Sequence, residues 1–114
     1  VNVNEQIEWL LNESLYRVGV SNIAGKGTFA TSFLKAGTDI GDAFRKKSST
    51  GNPDKDYSRT ELGAMTNHSS EPNMNVVKKG NSYHFVTKVD IAKGTELTVN
   101  YNQFDFEGKR DFAK

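Results

Sequence analysis

One short pattern occurs at two distant places in the chain. Leu34-Lys35-Ala36-Gly37-Thr38-Asp39-Ile40 and Ile91-Ala92-Lys93-Gly94-Thr95-Glu96-Leu97 both run apolar, two residues, Gly-Thr, acid, apolar. Glycine supplies a positive φ at a tight turn, and the flanking aliphatic residues seat strands. The unit is too short for a solenoid repeat, so it predicts two similar β-corners in a compact domain. The intervening segments agree. Tyr16, Val18 and Val20 alternate with other residues, Gly25-Lys26-Gly27 breaks the run, and Thr28-Phe29-Ala30 resumes it, which reads as strand, glycine turn, strand. Further strands are predicted at Met74–Val77, Tyr83–Val89 and Glu96–Tyr101, with a polar loop from Lys46 to Tyr57 around a Gly-Asn-Pro-Asp turn. Helical spacing is confined to residues 4 to 15, where Ile7, Leu10, Leu11 and Leu15 share a face and Asn2 with Glu5 fits a capping box, and to a short stretch from Arg59 to Met65. The expected class is mainly β.

Composition narrows the function classes. At 114 residues the chain has room for one core, and a hydrophobic fraction of 35% fits a soluble domain. No apolar run approaches the ~20 residues of a membrane span, and no signal-peptide pattern is present. Cysteine is absent, which removes disulfides and thiolate metal sites. The reading is an intracellular chain without membrane association. The formal charge of +1 creates no global attraction for nucleic acid, and basic residues cluster only at Arg45-Lys46-Lys47 and Lys78-Lys79, so no direct nucleic-acid binding is expected. Asn67-His68-Ser69 and Asn12-Glu13-Ser14 are formal glycosylation acceptors, which matter only in a secreted protein.

Taken singly, the chemical motifs are weak. Gly25-Lys26-Gly27 lacks the third glycine of a dinucleotide fingerprint and the Lys-Ser/Thr of a P-loop, and reads as a hairpin turn. His68 and His84 are not spaced as metal ligands, and no Ser-His-acid arrangement is visible. Their order is more specific. Ser21-Asn22-Ile23-Ala24-Gly25-Lys26-Gly27-Thr28-Phe29-Ala30 precedes Asn67-His68-Ser69-Ser70-Glu71-Pro72-Asn73, which precedes Glu96-Leu97-Thr98-Val99-Asn100-Tyr101. Over residues 15 to 106 the chain resembles the SET-domain family of protein lysine methyltransferases, in a minimal, viral- or microbial-type form.

The resemblance implies a SET-type β-clip of several short sheets, in which a pseudoknot brings the middle and last motifs against the Gly-x-Gly turn. With the helices above, it divides the chain into an N-terminal helical extension over residues 1–14 and a minimal SET domain over 15–114. It implies S-adenosyl-L-methionine as cofactor, with main-chain contacts from Lys26, Gly27 and His68, and Asn67 near the methionine end. It implies Tyr101 as the catalytic residue beside a channel for a lysine carried by a protein or peptide partner. Phe44, Phe104 and Phe106 are candidates for the channel's aromatic lining, and no metal is implied. Lysine's reference pKa leaves a neutral amine rare at neutral pH, a penalty of ~4–5 kcal/mol, which an apolar channel reduces by desolvating the ammonium.

Departures from the family pattern are Ser70 where the family carries Cys, Asn100 where it carries Asp, and Gly41-Asp42-Ala43-Phe44 where many members carry Tyr-x-Gly. The segment between Phe44 and Leu62 is short, and the family's zinc-binding cysteine-rich flank is absent. These leave open a catalytically silent, peptide-binding SET-like module. The turn around Lys93-Gly94-Thr95 also resembles SAF-type β-clip domains that bind carbohydrate. A small domain without the usual flanks could form a homodimer to cover apolar surface.

Overall fold

A computed structural model describes residues 15–103. The extension over 1–14, with nearly all of the helix expected there, lies outside the described residues, as do Phe104, Phe106 and Phe112. The described chain runs β1 (Tyr16–Val20), β2 (Lys26–Ala30), β3 (Asp39–Lys46), α1 (Pro53–Asp56), β4 (Tyr57–Arg59), α2 (Glu61–Met65), β5 (Asn67–His68), β6 (Met74–Lys79), β7 (Ser82–Thr87) and β8 (Glu96–Val99), then a 3-10 turn at Tyr101–Gln103. Its strands form two four-stranded sheets, ordered β1-β2-β8-β5 and β4-β3-β7-β6. The mainly β class expected from the glycine-punctuated strands is the class observed.

The two repeated heptads pair with each other. Leu34 and Ile91 exchange backbone hydrogen bonds of 2.8 Å in both directions. Gly37 and Gly94 sit at φ 88° and 86°, and each is followed by a threonine whose N–H reaches back three residues over 3.2 Å, Thr38 to Lys35 and Thr95 to Ala92. Each glycine N–H then donates to a strand end, Gly37 to Thr87 and Gly94 to Ala30, at 2.8 Å. One local solution is used twice, and the paired aliphatic residues anchor the core: Leu34 and Ile91 are buried with Ile40, Met74, Phe85, Leu97 and Val99. On β7 the strict alternation of Tyr83, Phe85 and Thr87 sends these three side chains inward.

Three local expectations change. The last strand stops at Val99 rather than Tyr101, because the Asn100 side chain accepts from Asn102 N–H at 2.9 Å and bends the backbone into a turn. The strand expected at Tyr83–Val89 runs instead from Ser82 to Thr87, and its partner extends to Lys79, because the hairpin closes tightly around Gly80 at φ 61°. The polar loop after Lys46 ends in the short α1 and is organised by a buried carboxylate. Asp56, 1% exposed, accepts from Thr50 N–H (2.7 Å), Gly51 N–H (2.8 Å), Thr50 Oγ1 (2.8 Å) and Ser48 Oγ (2.9 Å). Burial alone pushes its pKa up, but these donors outweigh burial and hold it at about 2.

The folded-state pKa of Asp56 therefore lies below the unfolded value near ~4. Its stabilisation is complete above the unfolded pKa and is lost as pH falls from about 4 toward 2. Urea midpoints across that window are expected to drop for the wild type. In Asp56→Asn they should be lower at neutral pH and flatter in acid. Parallel acid profiles would remove this carboxylate from the acid sensitivity.

Helix α2 carries the chain to the middle motif and is tightly seated. Thr60 caps it, accepting from Gly63 N–H at 3.3 Å while its own N–H donates to Ala43 O at 2.9 Å. A Cβ built at Gly63 would lie 2.1 Å from Ala43 O and 2.9 Å from Ala43 C, so no side chain fits between helix and strand. Gly63→Ala is expected to destabilise the fold by about 2 kcal/mol through backbone displacement. An unchanged denaturation midpoint would show that α2 can lift off β3 freely.

Candidate active site

The site forms because β8 lies between β2 and β5. The last motif pairs with the first through Thr28↔Leu97 and Phe29↔Glu96, antiparallel, and with the middle one through Asn67↔Thr98 and His68↔Val99, parallel. Two side-chain devices close this three-strand junction. Thr28 and Thr66, both buried, share a hydrogen bond of 2.8 Å between their hydroxyls. Asn73, at the end of the middle motif, acts as a substitute strand: its Nδ2 donates to Glu96 O at 2.8 Å and its Oδ1 accepts from Thr98 N–H at 2.9 Å. Pro72, beside it, is buried.

Asn67 stands where the motifs meet. Its Nδ2 lies within hydrogen-bond distance of four oxygens: Glu96 Oε2 (2.8 Å), Ser21 Oγ (3.0 Å), Lys26 O (3.1 Å) and Ala24 O (3.2 Å). Four acceptors around one end fix that end as the nitrogen. The two amide protons are shared among them and staple the loop 21–26 onto β5. Asn67 Oδ1, by contrast, accepts from none of the described residues. Gly27 completes the seat: a Cβ there would lie 2.2 Å from Glu96 Oε2 and 3.1 Å from Asn67 Nδ2. A side chain at residue 27 would have to displace the ends of these two side chains and loosen the junction.

His68 and Tyr101 form the second half. His68 Nδ1 accepts from Tyr101 N–H at 3.1 Å, so the neutral ring carries its proton on Nε2. The two rings stack with centroids 5.7 Å apart and planes 30° apart. The Tyr101 hydroxyl donates to the carbonyl of Thr66, the residue just before Asn67. Burial pushes the phenol pKa up, with the Arg59 charge opposing, and the net shift is upward. The phenol therefore keeps its proton at neutral pH.

The structure thus brings Lys26, Gly27, Asn67, His68 and Tyr101 to one junction. Phe44 lies in the buried core, 7% exposed, and pairs in register with Arg59 and Tyr83. The channel positions Phe104 and Phe106 fall outside the described residues. His84 sits elsewhere, on β7, with its Nδ1 3.1 Å from Asp39. No group of three metal-ligating side chains occurs among the described residues. Ser21, Asn73 and Glu96 were not singled out by sequence. Ser21 is a hub: its Oγ donates to Glu96 and accepts from Ile23 N–H, Ala24 N–H and Asn67 Nδ2. Its sequence signal was a serine opening a glycine turn, which occurs in many hairpins.

Comparison with known proteins bears on the fold and family. The family model of the SET domain matches residues 39–102. Among solved structures, a candidate histone methyltransferase from Plasmodium falciparum superposes with a TM-score of 0.63 at 19% identity, over 78% of this chain and 98% of its own. The methyltransferase domain of human PR domain-containing protein 2 gives 0.61 at 19%, over 91% and 89%. A humanized Chaetomium thermophilum Polycomb Repressive Complex 2, solved with an inhibitor, gives 0.61 at 19%, over 78% of this chain and 15% of that one. No curated protein sequence matches significantly. With the matched segment spanning more than half its length, and with the methyltransferase-like fold of these structures, the chain belongs to the SET-domain family.

Proposed function

We propose that this protein transfers a methyl group from S-adenosyl-L-methionine to the ε-amine of a lysine in a protein or peptide. The observation that carries the reading is the single junction at which Asn67 staples the Gly-x-Gly loop while Tyr101 is tied to the neighbouring residue, Thr66. The residues suit the cofactor. Asn67 Oδ1 offers an acceptor for its α-ammonium, and the closely packed backbone at Lys26, Gly27 and His68 offers main-chain groups for its polar ends. When bound, the cofactor supplies an electrophilic methyl group on a sulfonium.

The chain's own residues then have defined tasks. Because the Tyr101 hydroxyl donates its hydrogen bond to Thr66 O, its oxygen lone pairs face an amine N–H. Holding that N–H aims the nitrogen lone pair along one direction, which is an orientation effect. The amine loses its proton to solvent before transfer. Desolvation near the half-buried Tyr101, whose own pKa is raised by burial, lowers the cost of that loss. The setting proposed is intracellular, with a lysine-bearing protein or peptide as partner and a homodimer as the assembly.

The test pairs two measurements. Calorimetric titration should show S-adenosylmethionine binding, with a raised melting temperature through mass action. Radiolabelled methyl transfer onto a mixed protein lysate should label lysine. Binding without transfer to any lysate protein would favour the silent module, and no binding at millimolar cofactor would sink the reading.

A further inference from the structure

Glu96 is a half-buried carboxylate whose side-chain partners are all neutral. Ser21 Oγ donates to both of its oxygens at 2.8 Å, and Asn67 Nδ2 to one at 2.8 Å. Among the described residues no lysine or arginine pairs with it. Arg17, two strands away in the same sheet, lies over the Phe29 ring instead, 5.0 Å from its centroid. The carboxylate is held by hydrogen bonds alone, with no countercharge from the described residues. The carboxylate is pressed against Gly27 and Asn67, where even a Cβ on Gly27 would collide with it at 2.2 Å. It is thus fixed at the same junction as Asn67, Lys26 and Gly27, the proposed cofactor seat.

We infer that Glu96 is a specificity-determining residue whose charge favours the cationic sulfonium cofactor over its neutral thioether product. The inference rests on the cofactor reading above. S-adenosylmethionine and S-adenosylhomocysteine share the same ammonium, carboxylate and adenosine and differ by the methyl group and one positive charge. Hydrogen bonds alone scarcely distinguish them, whereas a fixed carboxylate at low local dielectric does. The chain's formal charge of +1 gives no general attraction for a cation, so any preference has to be local. Each turnover then removes the charge that held the ligand, which favours exchange of product for fresh cofactor.

Glu96→Gln keeps the shape and one acceptor while removing the charge. By titration calorimetry, S-adenosylmethionine affinity is expected to fall roughly five- to thirtyfold, at least about threefold more than S-adenosylhomocysteine affinity, because only the former also loses attraction on its sulfonium. A purely structural role in holding loop 21–26 would weaken both ligands together, and that result overturns the inference, as does no change in either. Wild type provides a second readout that needs no variant. Titrated side by side, S-adenosylmethionine should bind several-fold tighter than S-adenosylhomocysteine, and equal or reversed affinities overturn the inference. Failure of wild type to bind either ligand would overturn the cofactor reading itself, an outcome distinct from an unchanged ratio between two bound ligands.

Discussion

Tyr101→Phe is expected to slow single-turnover methyl transfer by roughly ten- to a thousandfold while cofactor affinity moves less than about twofold. The substitution removes one oxygen and keeps the ring, so the stack on His68 and the bond from residue 101 N–H to His68 Nδ1 persist. What disappears is the hydroxyl tied to Thr66 O, and with it the acceptor proposed to orient the amine. The same loss leaves a buried carbonyl short of a partner, a cost of about 1–2 kcal/mol in stability. The measurement therefore belongs at a temperature where both proteins are fully folded, with rates taken at saturating cofactor. A bystander tyrosine would show the stability loss without the rate loss, and equal rates would remove Tyr101 from the mechanism.

The strands and corners were legible because their signals are local. Gly37 and Gly94 each mark a turn that a side chain would strain, and Tyr83, Phe85 and Thr87 alternate within six residues of β7. The end of β8 was misjudged because a side-chain bond from Asn102 N–H to Asn100 Oδ1 overrides the apparent strand pattern. The junction itself has no local signature. Asn67 meets Thr98, and Ser21 meets Glu96 across 75 positions, through hydrogen bonds that no periodicity encodes. Asn67, His68 and Tyr101 were reached through resemblance of ordered motifs, which places residues at a site without giving their bonds. Resemblance pointed to Asn67 as a ligand contact. The structure adds that its nitrogen is committed inward and only its oxygen faces away from the staple.

That division of labour within one amide makes Asn67 the place where cofactor binding is most sensitive to substitution. Asn67→Ala is expected to weaken S-adenosylmethionine binding by roughly a hundredfold, the scale of one lost charge-assisted acceptor plus a loosened loop. Stability should fall by about 1 kcal/mol, because the half-buried Glu96 loses a donor, whereas water can satisfy the released carbonyls of exposed Ala24 and Lys26. Asn67→Asp separates the two halves of the amide. It retains an acceptor where Oδ1 stood but places a second acceptor among Ser21 Oγ, Lys26 O and Ala24 O, with the Glu96 carboxylate 2.8 Å from the replaced nitrogen. Two carboxylates at that distance repel, so the loop should open despite the added negative charge near a cationic ligand. The staple therefore predicts that Asp binds cofactor no better than Ala, by calorimetry at neutral pH. If Asp instead binds as well as Asn, the outward oxygen alone carries the contact, and the inward network around Nδ2 is dispensable for binding.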